Sequence, residues 1–167
     1  NHSKNEQLMA RKAAATPRGV GVMASFFAER AEGAELWDAE GQRYIDFAGG
    51  IAVMNVGHGH PKVLAAIEAQ LKRFTHTCYQ VVPYEGYVSL AEKLNQLTPG
   101  THAKKTAFFS TGAEAVENAI KIARYATKRS KLVYVERGYH GLTYGPLSIN
   151  GMDEFREGFG PLLPDCV

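Results

Sequence analysis

The sequence predicts an α/β fold, and two observations in its second half carry that prediction. Residues 105–109 and 132–135 are short apolar runs with polar flanks, which is typical of strands. Between them, residues 113–128 carry apolar side chains at helical spacing. A strand, a helix and a strand in this order predict parallel pairing through a right-handed crossover. Two parallel strands cannot cover both faces of a sheet, so we expect the sheet to be incomplete.

The first hundred residues predict a hairpin and three helices. Residues 35–38 and 42–47 flank a glycine-containing turn, which favours a β-hairpin. Helices are expected at residues 6–14, from Pro61 onward, and at residues 85–97. Proline suits the first position of a helix, and Thr98-Pro99-Gly100 predicts where the third helix ends.

Composition excludes several classes of protein. The chain has 167 residues, of which 45% are apolar and 22% charged, as in an ordinary globular domain. A net charge of +2 gives no electrostatic reason to expect nucleic acid or a membrane surface as a partner. No apolar run reaches the roughly 18 residues of a membrane span, and the polar N-terminus does not resemble a secretory signal. We therefore expect a cytoplasmic protein, with Cys78 and Cys166 as reduced thiols.

The turn Ser110-Thr111-Gly112 lies between the first predicted strand and the helix that follows it. The first N–H groups of a helix have no partner within the helix, and the helix dipole makes that end mildly positive. Such a turn is suited to a phosphate group. The alternative is that Ser110 or Thr111 simply caps the helix, with Gly112 as a turn residue.

Tyr139, His140 and Gly141 follow the second predicted strand. Ligands of open α/β sheets bind at the carboxyl ends of the strands, and a tyrosine there can stack on a planar ring. The alternative is a solvent-facing loop with a half-buried tyrosine. His58 and His60 lack further ligands at a suitable spacing, so we expect them to support a turn and we expect no metal site.

Several motifs, in order, resemble those of class III aminotransferases, which are pyridoxal 5'-phosphate (PLP) enzymes. The motifs are Trp37-Asp38-x-x-Gly41, residues 44–53, Gly57-His58-x-His60-Pro61, residues 110–121 and Tyr139-His140-Gly141. Within that family, residues 17–21 and 75–80 are similar to those of members that act on 4-aminobutyrate.

The resemblance implies a fold and a cofactor site. The fold would be PLP-transferase fold type I, with residues 1–60 as an N-terminal arm and hairpin and residues 61–167 as the beginning of the PLP-binding large domain. The backbone N–H groups of Gly112 and Ala113 would hold the phosphate. Tyr139 would stack on the pyridine ring, and His140 would complete the cofactor site.

The resemblance also implies a reaction and an assembly. An amino group would move from an ω-amino acid to 2-oxoglutarate, in a homodimer or a dimer of dimers whose active site forms at the subunit interface. Ile51 and Gln80 would line the substrate side. The lysine that forms the Schiff base is expected beyond Val167, so we expect the 167-residue chain alone to be inactive.

Two positions depart from the pattern of members that act on 4-aminobutyrate. Leu142 stands where those enzymes carry an arginine that grips the substrate carboxylate, and Ala113 stands where they usually carry serine. The first departure puts 4-aminobutyrate in doubt. Two alternatives therefore stay open: a class III aminotransferase with another amine donor (a diamine, an ornithine-like or a β-amino acid), and a non-catalytic fragment.

Overall fold

A computed structural model describes residues 2–167, which fall into two compact units. One unit ends at Val82, and the other comprises Pro83–Val167. The domains predicted from the sequence, residues 1–60 and 61–167, are domains of the larger fold of the family that the sequence resembles. That division stays a prediction. No helix within the described residues is long and apolar enough to cross a membrane.

The first unit contains a helix and a small antiparallel sheet. Helix α1 (Lys4–Ala15) begins with a capping box, in which Ser3 and Glu6 each bond the other's backbone N–H. Strands β1 (Ala28–Glu32), β2 (Glu35–Asp38) and β3 (Arg43–Ile45) follow in the spatial order β1-β2-β3. The predicted helix and hairpin are confirmed, and β1 is an additional strand.

The turn between β2 and β3 is built around the buried carboxylate of Asp38. Its Oδ1 accepts hydrogen bonds from the N–H groups of Glu40 (2.9 Å) and Gln42 (2.8 Å). Its Oδ2 accepts from Asn5 Nδ2 (3.0 Å) and Tyr44 OH (3.2 Å). Burial alone would raise the pKa of Asp38, but these hydrogen bonds outweigh it and lower the pKa. Asn5 thereby ties α1 to the hairpin.

Two neighbouring histidines of the first unit, His58 and His60, have structural partners. The short helix α2 (Gly49–Ala52) is followed by α3 (Pro61–Leu71), and His60 caps α3 by accepting the Lys62 N–H at Nδ1 (3.3 Å). His58 Nε2 lies 2.7 Å from Asp46 Oδ2. The prediction that both histidines support the turn before α3 is confirmed.

The second unit contains α4 (Glu85–Leu97), α5 (Gly112–Thr127), α6 (Tyr144–Ser148) and a 3₁₀ turn at Asp153–Phe155. The bounds of α4 are those predicted. The predicted helix at residues 113–128 begins one residue earlier, and Lys128 ends it in a left-handed conformation.

The predicted parallel pair of strands differs from the one observed. Residues 105–109 form no ladder with residues 132–135 in the part of the chain that the structure describes. Instead, residues 132–134 pair in parallel with residues 165–167, through three backbone hydrogen bonds of 2.8 to 2.9 Å. Arg124 holds the second segment near α5 by donating to the Pro164 carbonyl (2.9 Å). The two segments that pair in parallel are therefore joined by residues 135–164, and not by α5 as predicted.

The apolar face of α5 predicted by helical spacing is buried only in part; it comprises Ala115, Val116, Ala119, Ile120, Ala123 and Ala126. Ala115, Ala119 and Ala123 are exposed, whereas Ile120 is buried. A spacing of four residues on a helix predicts that Glu117 pairs with Lys121 at the surface, but Glu117 Oε1 accepts the Gly145 N–H (3.0 Å). This hydrogen bond ties α5 to the start of α6.

Candidate functional site

One pocket of about 760 Å³ in the second unit brings the predicted cofactor residues together. The start of α5 forms one wall, and the loop that leads to α6 forms the other. The lining residues are Thr111, Gly112, Ala113, Val116, Tyr139, His140, Gly141, Leu142 and Thr143. Two motifs that lie well apart in the sequence thus meet at one concave surface.

The N-terminus of α5 offers two backbone N–H groups to this pocket. Thr111 and Glu114 form a capping box: Thr111 Oγ1 accepts the Glu114 N–H (3.1 Å), and Glu114 Oε2 accepts the Thr111 N–H (2.9 Å). The N–H groups of Gly112 and Ala113 have no hydrogen-bond acceptor within residues 2–167. The capping interpretation is therefore correct for Thr111, and it still leaves two donors for an anion.

The loop on the other wall packs directly against this helix end. Gly141 has a φ of +112°, and a Cβ added to it would lie 2.7 Å from the Cβ of Ala113. Any side chain at position 141 would therefore force the two walls apart. Glycine at this position is what allows the loop to approach α5 so closely.

Tyr139 lines the pocket and remains 55% exposed as a residue. Its ring lies 5.5 Å from that of Phe155, at an interplanar angle of 69°. Edge-to-face packing of this kind orients a ring without burying all of it. The exposed part is available to a flat ligand.

Leu142 lines the same pocket and is 54% exposed. An isobutyl side chain contributes apolar surface and no charge. A substrate carboxylate would therefore find no partner at this position.

Ile51 and Gln80 belong to the first unit and are both exposed. Ile51 has a φ of +61°, a left-handed conformation that is uncommon for a β-branched residue. Their assignment to the substrate side stays a prediction. The residues described contain no group of three or more histidine, cysteine or acidic side chains that could hold a metal ion.

Three residues that support the pocket were missed in the sequence. Glu117 anchors the start of α6, Phe155 packs on Tyr139, and Asn150 hydrogen-bonds the backbone of His140 and Gly141. Of the three residues, only Glu117 could have been placed near the pocket from helical spacing, because it follows Ala113 by one turn of α5. The other two act through loops, for which the sequence has no periodic signal.

Comparison with known proteins matches the chain to aminotransferases. The class III aminotransferase family model matches residues 15–167. A 4-aminobutyrate aminotransferase from Escherichia coli is 53% identical over 99% of this chain, which covers 39% of that protein. A 5-aminovalerate aminotransferase from Pseudomonas aeruginosa is 52% identical over 88% of this chain, which covers 34% of that protein.

Solved structures show the same relationship. An (S)-enantioselective omega-transaminase from Thermomicrobium roseum superimposes with a TM-score of 0.82 at 33% identity, with 100% of this chain and 40% of that chain covered. A PLP-bound amine transaminase from an uncultivated Pseudomonas species gives a TM-score of 0.80 at 29% identity, with 91% of this chain and 37% of that chain covered.

The chain thus spans 34% to 40% of the length of these relatives. What it contains is part of the PLP-transferase fold type I, as the superpositions show. The family model covers all but the first 14 residues. The chain belongs to the class III aminotransferases.

Proposed function

We propose that the protein is a PLP-dependent transaminase that moves an amino group from an ω-amino acid to a 2-oxo acid, with 2-oxoglutarate as the acceptor. Membership of the class III family supports the reaction type. Relatives named for 4-aminobutyrate and 5-aminovalerate support an ω-amino acid as the donor.

The observation that carries this proposal is the pair of unbonded N–H groups at the start of α5, in a pocket that Tyr139 also lines. Two adjacent N–H groups at the positive end of a 16-residue helix suit the phosphate of PLP. A Cβ added to Gly112 would meet nothing within 4 Å, so phosphate oxygens have room to approach. The residues present therefore fit the group.

Each pocket residue has a proposed task. Gly112 and Ala113 hold the phosphate, Tyr139 covers one face of the ring and keeps water from it, and His140 completes the wall. PLP, when bound, supplies an electron-withdrawing ring that stabilises negative charge beside the transferred nitrogen. The lysine that moves the proton is proposed to lie beyond Val167.

The remaining parts of the proposal extend to the whole protein. Ile51 and Gln80 contact the substrate, the large domain begins near residue 61, and two copies form the active site as a homodimer in the cytoplasm. A second candidate, a class III aminotransferase with another amine donor such as a diamine, is favoured by Leu142.

The test uses the protein at its full natural length. Intact mass after borohydride reduction shows whether one PLP is covalently retained. Turnover is then measured with 4-aminobutyrate, 5-aminovalerate, ornithine and a diamine, with 2-oxoglutarate or pyruvate as the acceptor.

Formation of glutamate from an ω-amino acid and 2-oxoglutarate is the expected result. Turnover of the diamine alone would favour the second candidate. Retained PLP without turnover of any donor would make the protein a PLP-binding protein only, and absence of PLP would refute both candidates.

A further inference from the structure

Asn150 is completely buried, and its side-chain amide bridges two backbone groups of the pocket loop. Its Oδ1 accepts the His140 N–H (2.8 Å), and its Nδ2 donates to the Gly141 carbonyl (3.0 Å). A backbone N–H only donates and a carbonyl only accepts, so these partners fix the orientation of the amide. A carboxylate could serve only the first of them.

The backbone at Asn150 and Gly151 is itself hydrogen-bonded to neighbouring segments. The N–H of the next residue, Gly151, donates to the Gly138 carbonyl, and the Gly151 carbonyl accepts the Arg137 N–H, both at 2.9 Å. Arg156 donates to Tyr134 OH (2.7 Å) and to the Asn150 carbonyl (3.4 Å). The segment from residue 150 to 151 thus bonds the chain on both sides of Tyr139.

These contacts connect Asn150 to the pocket. Its two hydrogen bonds fix the backbone that immediately follows Tyr139, and they keep Gly141 against Ala113 at the start of α5. The Asn150 end of both hydrogen bonds is shielded from solvent, since Asn150 has no exposed surface. Their loss would therefore leave an N–H and a carbonyl without partners beside the pocket.

We propose that Asn150 is a positioning residue for the cofactor site: its amide sets the path of residues 139–141 and so the direction in which Tyr139 faces a bound ring. This inference rests on the proposed function, because PLP is the ligand whose ring Tyr139 would cover. By this proposal Asn150 affects cofactor affinity although it does not line the pocket.

The test compares Asn150→Ala with Asn5→Ala in the full-length protein. Asn5 is a matched control because it is also a buried asparagine that accepts a backbone N–H (from Phe27, 2.9 Å) and donates to an oxygen (of Asp38, 3.0 Å). It lies in the first unit and bonds no residue of the pocket. Both variants should lower the melting temperature.

Only Asn150→Ala should raise the PLP dissociation constant, by about tenfold, as expected for the loss of fixed hydrogen bonds. It should also change the visible circular dichroism of bound PLP. Combined with Tyr139→Ala, its effect on PLP affinity should shrink, because Asn150 acts through that ring. Unchanged PLP affinity in a folded Asn150→Ala protein, or full additivity with Tyr139→Ala, would overturn the proposal.

Asn150→Asp keeps the proposal testable if the alanine variant does not fold. The introduced carboxylate retains the acceptor for His140 and loses the donor to Gly141, and protonation restores a donor. The PLP dissociation constant of Asn150→Asp, divided by that of the unsubstituted protein, should therefore fall as the pH falls. A ratio of the two constants that does not change with pH would count against the proposal. If the unsubstituted protein binds no PLP, the proposed function fails; if it binds PLP and the variants bind equally well, only the role of Asn150 fails.

Discussion

Position 142 offers the sharpest test of substrate choice at the level of single residues. Leu142 lines the pocket, carries no charge and is about half exposed. A guanidinium there would bind a carboxylate through two parallel hydrogen bonds. We therefore expect Leu142→Arg to raise kcat/KM for 4-aminobutyrate by roughly tenfold or more, mainly through KM.

The control for this substitution is Leu142→Met, which changes shape without adding charge. Neither variant should improve turnover of an amine donor that lacks a carboxylate. Initial rates over a range of donor concentrations measure kcat/KM and KM. An arginine variant that gains nothing with 4-aminobutyrate would show that position 142 does not face the substrate carboxylate.

Asp46 gives a prediction about acid stability. The hydrogen bond from His58, followed by that from the Gly49 N–H, holds the pKa of Asp46 below its ordinary value. A carboxyl with a lowered folded-state pKa stabilises the fold above its ordinary pKa, near 4. It loses that contribution as the pH falls through the lowered value.

Asp46→Asn should therefore lower the melting temperature most at neutral pH. The difference from the unsubstituted protein should narrow below about pH 4. Thermal melts at a series of pH values measure this difference in melting temperature. Glu68→Gln is the control, because Glu68 is exposed. A difference that stayed constant in acid would mean that the Asp46 charge adds no stability.

At the level of elements, the start of α5 can be altered without disturbing the helix. Gly112 is its first residue, where proline is tolerated because that N–H has no partner in the helix. Thr111, with φ −138° and ψ 160°, already has the extended conformation that precedes proline. Gly112→Pro should therefore remove one of the two proposed phosphate donors and leave the fold intact.

The expected result is a PLP affinity about ten- to a hundredfold lower, as for a hydrogen bond to a charged group. Gly112→Ala is the matched control, since it keeps the N–H and its Cβ would meet nothing within 4 Å. PLP titrations followed by absorbance, with circular dichroism to confirm helicity, separate the two variants. Equal affinities would remove Gly112 from the phosphate site.

Elements with strong local signals could be predicted from the sequence, and those set by distant partners could not. The bounds of α4 follow from its spacing and from Thr98-Pro99-Gly100, both of which are local. Residues 132–134 form their parallel pair only with residues 165–167, whose sequence carries no strand pattern. The contact between α5 and α6 depends on the Glu117–Gly145 hydrogen bond, whose two partners lie 28 residues apart.

The residues of the candidate site could likewise be predicted only in part from the sequence. Gly112, Ala113, Tyr139 and His140 could be predicted because they stand in motifs, and the structure places all four at one pocket. The buried residues of α6 and Asn150 could not, because residues 143–151 have the composition of a surface loop. Their burial depends on hydrogen bonds to polar partners far along the chain.

At the level of the whole molecule, the chain exposes far more apolar surface than a stable monomer would. On α3 the exposed large apolar residues are Val63, Leu64, Ile67 and Leu71, and on α4 they are Val88, Leu90, Leu94 and Leu97. Helix faces of this kind are normally covered. We propose that further polypeptide or a second copy covers them in the full-length protein.

The isolated 167-residue chain should therefore self-associate and bind an apolar dye such as ANS, whereas the full-length protein should bind little. Sedimentation velocity and dye fluorescence, at equal molar concentration of the two proteins, measure this. Replacing Ile67 and Leu71 by glutamine should reduce both signals in the isolated chain. A monodisperse 167-residue monomer with a cooperative melt would contradict the prediction.

The parallel pairing of residues 132–134 with residues 165–167 has a consequence for how the protein is made. The loop of Tyr139, helix α6 and Asn150 all lie in the stretch that this pairing closes. Long-range pairing forms slowly, because the entropy of closing the loop is lost before any contact is gained. On the ribosome, the helix end at Gly112 emerges long before Cys166. The two N–H groups at the start of α5 are therefore synthesised early, while the opposite wall must await residues 165–167, and a nascent chain completes this pocket only after that later pairing.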